Sequence, residues 1–335
     1  MNFYSEILPL QRHAVFALDE FFVWCATVQK DDDGLFHMIF SKWPKEKGFD
    51  AWVTDSVLGH AVSDSPDGPY RYTGEITLLG NHAEVFHNPT MLRHNGFYYL
   101  YFMQNSGASG GQAGCVPCDA HRWSHRNNQR IGAAWAKHPA GPWHSSDTPV
   151  IDVTPGSFDG LMVSNPTVTV GGDGKIYMVY KGVAQGVPPA GGAVVCGVAR
   201  AEHPMGPFEK LKGPIMVNPE NPWSVEDPFI WVENGRFYAL VKDFHGYFTK
   251  IGTVSVALFE SGDGVDWQPS ANPLAFTLDF IRADGERQHA DALERPQLVF
   301  DGGKAVALLC AFSPDHSRKD SMNVQFMLDH KGDQR

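Results

Sequence analysis

Four pairs of polar or charged residues in this 335-residue chain stand directly before a proline and an apolar run: His87-Asn88, Ser164-Asn165, Glu226-Asp227 and Glu294-Arg295. Asn, Asp or Ser ahead of proline turns a chain readily, and that accounts for any one pair. It does not account for Glu226, Glu294 and Arg295 together. Two carboxyl groups that share a site suit acid–base chemistry, one held protonated as the acid and the other ionised as base or nucleophile. A nearby Arg drives the pKa values of such a pair apart. Asp159 lies shortly before Ser164-Asn165, and Glu84 and Asp291 take comparable positions before two other pairs. Lys181, Lys242 and Asp243 close later apolar runs, placed to reach a ligand or to face solvent. Trp52 and Trp223 lie near these pairs and could stack on a ring, although packing is the commoner use of such residues.

Each pair opens the same unit: a strand, a tight turn and a second strand. The turns are Asn95-Gly96, Asp173-Gly174, Asn234-Gly235 and Gly302-Gly303, dipeptides that supply the positive φ a tight hairpin needs. A degenerate copy without the proline runs from Trp24-Cys25-Ala26-Thr27-Val28 to Asp33-Gly34, which makes five. A second module, ending in Gly68-Pro69-Tyr70, Gly141-Pro142-Trp143 or Gly206-Pro207-Phe208, follows three of the hairpins. A looser version covers 257–267. The Gly-Pro-aromatic ending turns the chain and packs a ring between neighbouring sheets.

Two modules recurring in one order predict an all-β five-bladed β-propeller rather than a β-sandwich. One domain then spans 1–335, with blades at roughly 13–80, 81–150, 155–215, 220–275 and 285–330. The repeats are longer than the roughly 40–50 residues of common propellers, and long loops account for the excess. Radial repetition leaves short protected edges and a central channel. The innermost strands line that channel, so the polar pairs converge in one funnel. His87, Asn88, Asn165 and Arg295 are therefore candidate binding residues, with Lys242 and Trp223 beside them.

Hydrophobic residues at 43% and charged residues at 19% describe an ordinary globular chain, not a disordered one. A net charge of −11 argues against a nucleic-acid partner. No apolar run approaches a membrane span, and 1–6 carry neither a basic segment nor an apolar one. With five scattered cysteines, this predicts a cytoplasmic protein with reduced thiols. The segment Cys115-x2-Cys118-x2-His121-x3-His125 could hold a structural zinc, although its spacer is shorter than zinc sites usually have. Two free thiols in a loop is the alternative. Arg126 and Arg130, in the cluster that follows, could bind a uronate or a sulfate. The sequence leaves a homodimer open.

With its blade entrances in view, the chain resembles the five-bladed propeller glycoside hydrolases of families 43 and 117. The likeness covers nearly the whole chain through the repeat, and the catalytic motifs match in part. In family 43 an Asp base sits on the first blade, a second Asp tunes the acid, and a Glu is the acid. Asp227 of Glu226-Asp227-Pro228 and Glu294 of Glu294-Arg295-Pro296 look like two such carboxylates. Blade one departs, because Cys25-Ala26-Thr27 stands where the family shows Asp-Pro. In a hydrolase the base then comes from elsewhere, with Asp19, Glu20 and Asp50 as candidates and His87 as another. The resemblance implies an exo-acting, inverting glycosidase on a small oligosaccharide, of use in carbohydrate metabolism or polysaccharide degradation, with no cofactor required for catalysis. A phosphorylase using inorganic phosphate, and a sugar-binding propeller without catalysis, are the alternatives.

Overall fold

The structure, a computed structural model, describes residues 3–107 and 120–329. Five antiparallel sheets stand around one axis, so the fold is a five-bladed β-propeller. Blade one comprises Phe21–Lys30, Phe36–Pro44, Val57–Ser63 and Arg71–Glu75, from axis to rim. Blade two comprises Val85–His94, Phe97–Asn105, Arg130–Ala136 and Trp143–Ser145, with Leu78–Leu79 added in parallel outside. Blades three and four start at the inner strands Met162–Val170 and Val225–Glu233 and run outward in chain order. Blade five takes Ala292–Asp301, Lys304–Ser313 and Met322–Met327 from the end of the chain.

Its fourth strand is Val15–Phe16, paired antiparallel with Met322–Met327. The sequence expectation placed this segment at the start of blade one; it belongs to the last blade and closes the ring. The hairpins form where the dipeptides predict, in two kinds. Asn95-Gly96, Asn234-Gly235 and Gly302-Gly303 have positive φ at both residues, the two-residue turn that follows strand twist. In blades one and three only the glycine, Gly34 or Gly174, is left-handed, and the loop is longer.

Packing between sheets explains the Gly-Pro-aromatic module. Tyr70 of blade one packs with Val299, Ala307 and Leu309 of blade five. Trp143 of blade two meets Ile39 and Leu58 of blade one, and Phe208 of blade three lies against the cluster holding Tyr99 and Tyr101 of blade two. Each ring thus fills the seam with the preceding blade. Hydrogen bonds also cross the seams near the axis: Met91 N–H donates to Thr27 Oγ1 at 3.0 Å, and Ile230 N–H to Thr167 Oγ1 at 2.9 Å. The blades therefore hold the funnel at fixed geometry. At its mouth two short helices, Trp52–Asp55 and Ala120–Asn127, pack together between the second and third strands of blades one and two. Among the described residues no helix is long and apolar enough to cross a membrane.

Candidate functional site

Every inner strand bulges at its entrance: the pairing register shifts between Trp24 and Thr27, His87 and Thr90, Ser164 and Thr167, Glu226 and Phe229, and Glu294 and Gln297. The residue at each bulge, Cys25, Asn88, Asn165, Asp227 or Arg295, is left-handed, with φ between 48° and 57°. That conformation costs a residue with a Cβ roughly 1–2 kcal/mol, least for Asn and Asp. Its effect is to turn five side chains inward onto the axis. They form a chain of contacts that runs one way. The Cys25 thiol donates to Asn88 Oδ1 at 2.8 Å, Asn88 Nδ2 to Asn165 Oδ1 at 2.6 Å, and Asn165 Nδ2 to Asp227 Oδ1 at 2.5 Å. Arg295 Nη1 stands 3.5 Å from the same Asp227 oxygen. All five are buried, and together they floor the funnel.

The residues one step earlier rise above this floor. Glu226 lies between two ammonium groups: Lys181 Nζ is 2.6 Å from Oε1 and Lys242 Nζ 3.9 Å from Oε2. Lys242 also donates to Glu294 Oε1 at 2.5 Å. Strand pairing sets this up, since Lys242 is directly opposite Glu226 in register and Lys181 opposite Ser164. Burial raises the Glu226 pKa, but Lys181 and Lys242 outweigh it and hold the carboxyl down at about 2. Asp227 goes the other way: burial, then the negative charge of Glu226, lift it to about 6 against the pull of Arg295. Its Oδ2 makes no hydrogen bond with the described residues, which leaves that oxygen for the proton. Adjacent carboxyls held at opposite ends of the scale are what acid–base chemistry requires. Lys242, despite its burial, stays firmly protonated because Glu294 and Glu226 flank it.

The strand entrances of blades one and two are neutral. Trp24, Trp43, Phe49 and Trp52 wall that side, and His87 lies among them with its ring centroid 5.0 Å from that of Trp52. Ser56 Oγ lies 3.0 Å from Phe86 O and 2.8 Å from His87 Nδ1. In the tautomer that gives the Ser56 proton to Phe86 O, His87 Nδ1–H donates to Ser56 Oγ and Nε2 is bare, 3.7 Å from Cys25 Sγ, whose own proton goes to Asn88. Burial first, then Arg295 and Lys181, push the His87 pKa well below its ordinary value, so the ring is neutral. The Cys25 thiol is pushed well up by burial and is no nucleophile. The cavity, about 380 Å³, lies within the ~300–1,000 Å³ of ordinary small-ligand pockets.

The structure thus brings together Glu226, Asp227, Glu294, His87, Asn88, Asn165, Arg295, Lys242 and Trp223. Other residues that the sequence singled out lie outside the funnel lining, Asp159, Asp50 and Arg130 among them. Asp159 is fully buried within blade three, where its Oδ2 takes Tyr180 Oη at 3.0 Å and Lys210 Nζ at 2.6 Å. Asp50 sits exposed on the rim, 3.3 Å from Arg122. Arg130 is ion-paired with Asp152 on the outer surface of blades two and three. Asp243 is fully buried and accepts the N–H groups of Tyr247 at 3.1 Å and Phe248 at 2.8 Å, so it shapes a loop. Of the residues considered for the base, only His87 faces the funnel; Asp19 and Glu20 are exposed elsewhere. Sequence reasoning missed Ser56, Trp123 and Arg318. No motif marks Ser56, which acts through a loop contact. Trp24 had a signal that went unused, since the repeat aligns it with Glu226.

Two clusters bear on metal binding. Cys115 and Cys118 lie outside the described residues. His121 and His125 are one helical turn apart, and both ring nitrogens of His125 are engaged: Nε2 with Glu84 Oε2 at 2.8 Å and Nδ1 with His121 O at 3.0 Å. On blade one, Asp31, His37 and His138 bring three ligand atoms within 4.8 Å of one another. There His138 Nδ1 accepts from Ala140 N–H at 3.2 Å, so Nε2 keeps its proton, 3.5 Å from Asp31 Oδ2. That is the wrong form for a metal ligand.

Fold and site together define a five-bladed propeller with one deep, half-aromatic and half-charged funnel. No protein-family model matches the sequence, and no curated protein matches it. Solved structures do. A family 117 glycoside hydrolase from the marine bacterium Zobellia galactanivorans is similar over 96% of this chain and 89% of its own, with a TM-score of 0.64 and 19% identity. A family 43 β-xylosidase/α-arabinofuranosidase from a compost microbial metagenome is similar over 97% of both chains, with a TM-score of 0.59 and 15% identity. The arabinanase of Bacillus subtilis matches over 93% of this chain and 96% of its own, with a TM-score of 0.57 and 15% identity. The expected resemblance to family 43 and 117 propellers therefore holds at the level of fold.

Proposed function

We propose that the protein is a glycoside hydrolase whose active site is the funnel, exo-acting and inverting, on a small oligosaccharide. One observation carries this: Glu226 and Asp227 are neighbours with pKa values of about 2 and about 6, beneath a wall of aromatic rings. Asp227, protonated at mildly acidic pH, donates its proton to the glycosidic oxygen as the leaving sugar departs. His87 Nε2 takes a proton from the attacking water, and Ser56 holds the ring for it. Glu226 stays ionised between Lys181 and Lys242, and Glu294 is tied to Lys242 by a hydrogen bond, which blunts both as nucleophiles. Water is left as the attacking group, which supports inversion. The closed floor makes the site a pocket rather than a through-cleft, which supports removal of terminal sugars. The similar solved propellers are glycoside hydrolases, which supports action on a glycosidic bond.

The test is a panel of aryl glycosides and plant or algal oligosaccharides, with and without phosphate, on wild type, Asp227→Asn and Glu294→Gln. Sugar release that Asp227→Asn abolishes, with NMR showing the inverted anomer first, is the expected result. Release only with phosphate would replace hydrolysis by phosphorolysis. Binding without turnover anywhere on the panel would leave a sugar-binding propeller.

A further inference from the structure

The funnel is cationic inside an acidic protein. Its lining carries Arg122, Arg126, Lys181, Lys242, Arg295 and Arg318 against Glu226, Asp227 and Glu294, six cations to three acids, whereas the chain as a whole is −11. Five of the six have a carboxylate at ion-pair distance, although the Arg295 guanidinium makes no hydrogen bond with the described residues. Lys181 and Lys242 serve Glu226 and Glu294, Arg295 faces Asp227, Arg122 reaches Asp50 at 3.3 Å, and Arg318 reaches Asp291 at 3.2 Å. Arg126 has no carboxylate partner among the described residues.

Its position is nevertheless built. Nη1 donates to Asn127 Oδ1 at 2.9 Å and Ala190 O at 2.7 Å, and the guanidinium lies over Trp123, 5.6 Å from the ring centroid. Nε and Nη2 make no hydrogen bond with the described residues. Burial, opposed by Glu226 and reinforced by Arg122, makes this cation harder to keep charged than a solvated arginine. The same wall holds a second unsatisfied group. Gln129 is 1% exposed, and neither its Nε2 nor its Oε1 has a hydrogen-bond partner among the described residues. A buried amide left with both ends open, beside a held but unpaired guanidinium, is a place for a ligand that is at once anionic and hydroxylated.

We infer that the funnel recognises an acidic sugar, through a carboxylate or sulfate that Arg126 binds and a neighbouring hydroxyl that Gln129 takes. The inference rests on the funnel being a saccharide site and names the class of saccharide. Arg126 lines the same cavity as Glu226, so a charged group bound there shares the funnel with the carboxylates.

The experiment measures binding of uronate-terminated disaccharides and of their methyl esters, by calorimetry on the full chain. The ester keeps the shape and removes the charge. Expected is a preference for the acid of about tenfold or more, lost in Arg126→Gln, partly kept in Arg126→Lys, and shrinking as salt rises. An unchanged unfolding temperature of Arg126→Gln separates lost recognition from lost folding. Equal affinity for acid and ester, or a preference that survives Arg126→Gln, overturns the inference. So does inorganic phosphate binding at Arg126 without acid–ester discrimination, which would make the anion a free co-substrate. An intact preference without any sugar release would sink the hydrolase reading and leave this one standing. Cleavage of neutral glycosides alone would do the reverse.

Discussion

The two halves of the funnel are built on one backbone and do opposite things. At the entrances of blades four and five the bulge presents Glu226-Asp227 and Glu294-Arg295, tied to Lys181 and Lys242. At blade one the same bulge, with the same left-handed residue, presents Trp24-Cys25, and blade two adds His87. Charges sit on one side and flat neutral surface on the other. A sugar ring has the matching division, with hydroxyls around its edge and C–H groups on its faces. The comparison shows that the propeller fixes where a side chain points, while the residue at each bulge decides what happens there. It also explains how blade one can lack a carboxylate without emptying the site. His87, the base of the proposed mechanism, lies one blade further on, 3.7 Å from Cys25 Sγ.

The largest expected effect comes from removing the proton on the charged side. Asp227→Asn should lower kcat by roughly 10²–10⁴-fold. The loss should be smaller on aryl glycosides whose leaving group needs no acid, as steady-state kinetics on both substrate types will show. On the neutral side, His87→Gln should lower kcat by about 10²-fold with little change in KM. Equal KM but unchanged kcat would return the base to the charged half. Trp223, which is exposed beside Phe244, offers a ring face, so Trp223→Ala should raise KM by about tenfold and spare kcat.

The coupling between the halves can be read in pH. The proposed mechanism uses Asp227 protonated, so kcat/KM should fall as pH rises through about 6. Glu226 is one of the groups that raise Asp227. Glu226→Gln should therefore move that limb to lower pH, and a limb that stays in place would detach Asp227 from the acid role. The smallest effect belongs to blade one's own bulge. Cys25→Ser keeps a donor for Asn88 and should change kcat by less than about threefold, because the thiol takes no part in the chemistry.

Much of this was legible in the sequence, for physical reasons. Hairpins in blades two, four and five announce themselves through Asn-Gly or Gly-Gly, because few residues accept two consecutive positive φ values. Asn88, Asn165 and Asp227 are of the types that tolerate a left-handed backbone, so the entrances could be found by type as well as by repeat. Cys25 and Arg295 are not, and only alignment of the repeat places them. Asp159 and Arg130 have the right chemistry for the site, but their partners, Lys210 and Asp152, hold them elsewhere, and no local pattern reveals such pairings. The ring-closing strand Val15–Phe16 is two residues long, too short for any periodicity to mark.

That strand has a consequence for how the protein comes into being. A chain is made from its N-terminus, so Val15–Phe16 is complete long before its partner Met322–Met327 exists, and it must wait unpaired through the synthesis of every other blade. Domains can order themselves while they are being made, and blades one to four can stack as they emerge. The floor cannot, because Arg295 belongs to the blade made last. A nascent chain carries Glu226 and His87 in open water with no funnel around them. The site is absent until synthesis is nearly over, and then it forms together with the latch.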